Sequence, residues 1–80
     1  MNFEVLVVSP PEYNNLVAEI YFDGLYVATI SQEFNDGIFQ IETPSSNLVE
    51  SEIVRKVNLQ EFLDAVRFAC DRLKEMKPKD

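Results

Sequence analysis

Eighty residues with 14 acidic and 7 basic side chains, a net charge of −7, make one small domain with room for a single core. At 46% hydrophobic and 26% charged residues the balance is an ordinary globular one, which excludes wholesale disorder and a fibrous repeat. The apolar run Val5 to Val8 falls far short of the roughly 20 residues of a membrane span. No basic stretch with a long apolar run opens the chain, so no standard secretion signal is expected. A single cysteine, Cys70, allows no intramolecular disulfide and fits a reducing, cytoplasmic compartment.

In chain order, Phe3-Glu4-Val5-Leu6-Val7-Val8 is short, apolar and β-branched, and it stops at Ser9-Pro10-Pro11, which cannot continue a ladder. The spacing predicts a first strand over about residues 2–8 and a turn-rich connection over 10–15. Two extended runs, 17–22 and 25–30, flank Asp23-Gly24, the strongest short hairpin signal in the chain. A two-residue turn there pairs Phe22 with Leu25, Ile20 with Val27 and Ala18 with Thr29 on an apolar core face, leaving Glu19, Tyr21, Tyr26 and Ala28 on the other. Asn35-Asp36-Gly37 separates the runs 30–34 and 38–42 and predicts a second hairpin. Residues 43–51 are polar and contain Pro44, which reads as a loop; residues 53–57, with the cations Arg55 and Lys56, read as a short edge strand.

The last third reads as a helix from 59 to about 77. Asn58 followed by Glu61 has the form of an N-cap with a returning acid, and Pro78 ends the element. Leu59, Phe62, Leu63, Val66, Ala69, Cys70, Leu73 and Met76 recur at helical spacing, a face centred on Val66. Sheet followed by helix, without βαβ alternation, predicts a single α+β domain over residues 1–80. It is a two-layer sandwich of one antiparallel sheet of about four or five strands, two consecutive hairpins among them, covered by a single C-terminal helix. The second sheet face then has no helix of its own and becomes a partner site or a dimer surface around Tyr21 and Tyr26.

All seven bases lie in the last 26 residues, while residues 1–54 hold nine acids and no lysine or arginine. Such a segment repels phosphate backbones and anionic lipid, which excludes nucleic acid and membrane as expected partners. With no histidine, the commonest general base near neutral pH is absent. Cys70 falls on the apolar helix face, where a thiol fills core with a raised pKa. No cysteine–histidine set for zinc exists, and Gly24 and Gly37 each belong to a hairpin, so neither metal nor cofactor nor catalytic residue is expected. The carboxylate pairs Glu50–Glu52 and Glu33–Asp36 lack calcium-loop spacing.

One residue breaks the helical pattern. Counted from Val66, Phe68 lies near 200° on the polar side, among Asp64 and Asp71. It reads as the centre of a contact patch with a charged rim, or as a ring tucked against residues 47–54 or simply one exposed apolar residue. The hairpin acids Glu33, Asp36 and Glu42 are the expected steering charges for a basic partner.

The stretch VAEIYFDG over 17–24, followed by VATISQE over 27–33, GIFQIE over 37–42 and a capped helix, resembles small, mostly uncharacterised bacterial proteins. Some of these are similar to the immunity proteins of polymorphic toxins. The resemblance implies a non-enzymatic acidic binder that neutralises a basic toxin by covering its cleft. It carries no catalytic or ligand signature. The alternative expectation is a small structural or regulatory subunit that forms a homodimer through a sheet edge or the open sheet face.

Overall fold

A computed structural model describes residues 2–33, 38–44 and 50–76. Four antiparallel strands form one sheet in sequence order: β1 (Phe3–Val8), β2 (Val17–Phe22), β3 (Leu25–Ser31) and β4 (Gln40–Glu42). A single 3-10 turn over Glu50–Glu52 leads to the helix α1 (Leu59–Glu75), which lies across β1 and β2 and touches β3 less. The chain is an α+β two-layer sandwich, as the order of its hydrophobic patterns predicts. No described helix is long and apolar enough to cross a membrane.

The β2–β3 hairpin turns on Asp23 and Gly24, at φ 50° and 83°. Two successive positive φ values make the mirror-image turn whose twist matches that of the strands. Beyond Tyr21↔Tyr26 the register departs from the simple alternation. Ile20 faces Ala28, Glu19 faces Thr29 and Ala18 faces Ile30, with a shift between Ile20 and Tyr21 that leaves Val27 as an extra residue. This bulge exchanges the two faces of β3 after Tyr26. The expected pairs Ile20–Val27 and Ala18–Thr29 are therefore replaced, Ala28 moves into the core, and Thr29 joins Tyr26 on the open side. The uniformly apolar run 25–28 offers no alternation that would reveal the slip.

The second hairpin joins β3 to β4 through Thr29↔Glu42, Ile30↔Ile41 and Ser31↔Gln40; its turn Asn35-Asp36-Gly37 includes Asn35, Asp36 and Gly37 outside the described residues. The predicted strand over 53–57 shrinks to one bridge, Ile53 beside Tyr26, with the Val54 amide donating to the Tyr26 carbonyl at 3.1 Å. Beyond Val54 the chain turns off to start the helix. Asn58 caps that helix: its side chain accepts from the Glu61 amide at 3.0 Å.

The core is built from Ala18, Ile20, Phe22, Val27, Ala28 and Ile30 of the sheet against Ala65, Ala69 and Leu73 of the helix. Its line on α1 passes through Ala69, roughly 60° around from Val66 at about 100° per residue. Val66 is half-buried, and Leu59 and Leu63 remain 69% and 48% exposed. The reason is volume. Close packing against the large side chains of the sheet, Phe22 and Ile20 first, favours the small Ala65 and Ala69 on the buried line together with Leu73, while Leu59 and Leu63 turn aside. Cys70 packs half-buried at the margin, and burial pushes its thiol pKa up, as for an inert core cysteine.

Candidate functional site

Period-two alternation puts Glu19 and Tyr21 on the sheet face away from the helix, and the bulge adds Tyr26 and Thr29 beside them. Glu42 on β4 stands opposite Thr29. The connection between β1 and β2 then folds back over this face. Tyr13 donates its hydroxyl to both oxygens of Glu42, at 2.8 and 2.7 Å, and Asn15 donates its side-chain amide to the Gln32 carbonyl at 3.0 Å. The face expected to lie open is thus partly roofed by the chain's own turn, and Val17 and Ser31 on it are buried.

What stays open is a shallow basin of about 650 Å³. Tyr13, Tyr21 and Tyr26 line it together with Glu12, Glu19, Glu42 and Glu52, and no lysine or arginine takes part. The Tyr21 and Tyr26 rings meet edge to face with centroids 5.7 Å apart. Tyr21 donates to Glu19 at 3.0 Å, and the hydroxyls of Tyr26 and Thr29 are hydrogen-bonded. Two carboxylates are therefore held in place by tyrosine hydroxyls at the walls of an aromatic hollow.

Burial raises the pKa of all three tyrosines above the ordinary value. At Tyr13 the bond to Glu42 adds to it, and at Tyr21 the bond to Glu19 does so. At Tyr26 the Thr29 hydroxyl works the other way, while the charges of Glu19 and Glu42 raise the value further. A raised folded-state pKa means that the unfolded chain loses the proton first as pH climbs. The tyrosines' contribution to stability is thus full below about pH 10, the unfolded value, and is lost as pH rises toward the folded values. Ultraviolet titration of the phenolates should show all three ionising above about pH 10, with alkaline unfolding setting in over the same interval. The chain has no tyrosine outside the basin and no tryptophan, so the signal comes from this site alone. Ionisation of all three at the ordinary value would contradict the geometry.

The sequence-predicted site residues divide between two sides of the molecule. Tyr21, Tyr26 and Glu42 come together in the basin. Glu33 does not join them: it accepts from the Asn14 and Asn15 amides at 2.6 and 2.8 Å and clamps the β1–β2 connection to the end of β3. Asp36 lies outside the described residues. Asp64, which accepts from Gln60 at 3.0 Å, and the exposed Asp71 sit on the helix, on the far side of the sheet. Phe68 is 47% exposed on the helix, and of the stretch 47–54 residues 47–49 lie outside the described residues. Its ring meets Phe3 of β1 edge to face at 6.2 Å, and Phe3 meets Phe22 likewise at 6.1 Å. With the core line on Ala69, Phe68 is a flank residue about 100° away.

Sequence reasoning missed Glu12, Tyr13 and Glu52 as members of the site, and put Glu19 on the right face without naming it as a site residue. A readable signal existed for two of the tyrosines: Tyr13 directly follows Glu12, and Tyr21 lies two residues after Glu19. A second hollow, at the N-terminal end of α1, is lined by Val54, Val57, Leu59 and Phe62 and bordered by Pro44. Among the described residues, no group of three acidic or cysteine side chains is placed to hold a metal ion. No protein-family model, curated protein or solved structure matches this chain.

Proposed function

We propose that this protein is a non-enzymatic, acidic protein-binding module that receives a basic segment of a partner in the tyrosine basin. Neutralisation of a basic toxin, the role implied by the resemblance to immunity proteins, is the specific form of that activity. The observation that carries the reading is the make-up of the basin: three tyrosine rings, four glutamates and no cation among the lining residues. An ammonium or guanidinium group entering it finds a ring face and a carboxylate together, the combination that rewards a cation most once water is displaced. The remaining acids of residues 1–54 add a long-range field that speeds encounter and is screened by salt.

Titration with an arginine- and lysine-rich peptide, followed by tyrosine fluorescence, tests this directly. Binding should weaken as salt rises, and Glu19→Gln with Glu42→Gln should lower affinity on the order of tenfold, the scale of a lost charge-assisted contact. Asp64→Asn with Asp71→Asn removes the same net charge from the helix side and should leave affinity nearly unchanged. Equal losses from the two pairs would reduce the effect to net charge and defeat the basin reading.

A further inference from the structure

β1 ends the sheet on one side, in the order β1-β2-β3-β4. Its pairing with β2 uses half of the backbone N–H and C=O groups of Phe3–Val8, and the alternate groups point outward. The opposite edge is treated differently, because β4 and the Ile53–Val54 segment share the outer side of β3. Monomeric proteins blunt an open edge with lysine, proline, a bulge or a very short strand. β1 has none of these. It pairs with β2 in unbroken register over six residues and carries one charge, Glu4. Two of its own apolar side chains are exposed, Phe3 at 37% and Leu6 at 40%, as is Phe68 of the helix at 47%, whose ring meets Phe3.

We infer that β1 is the interface of a homodimer in which two copies pair β1 with β1, antiparallel, to form one eight-stranded sheet. The inference does not rest on the basin. A closed antiparallel pair has its twofold perpendicular to the sheet, so residues that face each other across it come from the same sheet face. With Val5 on the axis, Phe3 faces Val7 and Glu4 faces Leu6, and no acid meets an acid. Both helices then lie on one side of the joined sheet, with the flanks that bear Phe68 turned toward the axis. That placement covers the half of the ring that Phe3 leaves open. Charge selects this occupant over a basic strand, since the edge offers a cation only Glu4. It also sets the salt response: two chains of −7 repel, so screening strengthens the dimer, the opposite of the response expected in the basin.

Two measurements test it on the full chain. Sedimentation should show the mass rising with concentration from 9.2 kDa toward twice that value, and rising further at high salt. In a Cys70→Ala background, mixing Glu4→Cys with Leu6→Cys should yield a disulfide-linked dimer much faster than either variant alone, because only the mixture places the two thiols opposite each other. Both positions are exposed, so the fold is retained. A mass fixed at 9.2 kDa at every concentration and salt overturns the proposal. So does a doubling of mass without preferential linkage of the mixed pair, which would put the interface elsewhere.

Discussion

Ala69→Asp should leave the chain unfolded in water. Ala69 has no solvent exposure and belongs to the core that joins the helix to Ala18, Ile20 and Phe22 of the sheet. A carboxylate there has neither space nor a partner, and an uncompensated buried charge costs several kcal/mol. A domain of this length has a total stability of only about 4–12 kcal/mol, so one such change consumes most or all of it. Circular dichroism in the near ultraviolet, where the tyrosine and phenylalanine environments report, should lose its native signal. Val66→Asp is the informative comparison. The hydrophobic pattern alone makes it the worse of the two, whereas its half-buried position lets the carboxylate swing to water and predicts the milder loss. If Val66→Asp proves the more damaging, the helix phase described above is wrong.

Phe22→Ala should cost about 3–5 kcal/mol, from lost transfer energy and the cavity left behind. Phe22 is the largest fully buried side chain of the sheet, at 1% exposure, and its ring anchors the edge-to-face series that runs through Phe3 to Phe68. Such pairs add about 0.5–1.5 kcal/mol beyond area, so the loss extends to the β1 edge. In a domain of this size the midpoint of thermal unfolding should fall on the order of 20 °C. Phe3→Ala, at a position more than a third exposed, should lower it by a small fraction of that. Urea titrations of the two variants separate these expectations, and equal losses would show that the core is not centred on Phe22.

The strands, the Asp23-Gly24 turn and the capped helix were legible in the residues because each is decided locally. Turn chemistry needs two backbone positions with positive φ, a cap needs one side-chain oxygen, and an amphipathic helix needs only its period. Of the candidate site, the sequence placed Tyr21 and Tyr26 on the sheet face away from the helix, and that is where they meet.

Three features belong to the tertiary structure alone. The helix phase turned from Val66 to Ala69 because the choice between burying Leu59 and Leu63 and burying Ala65 and Ala69 depends on the volume of the sheet residues beneath, not on hydrophobicity along the helix. The bulge at Val27 moved Ala28 into the core and Thr29 beside Tyr26, and a run apolar at every position carries no period from which that slip could be read. Tyr13 and Glu33 acquired their roles through contacts across 29 and 19 or 18 residues of chain, where a polar connection folds back onto the sheet. Local pattern registers which residues prefer water. It does not register which part of the same chain will take the water's place.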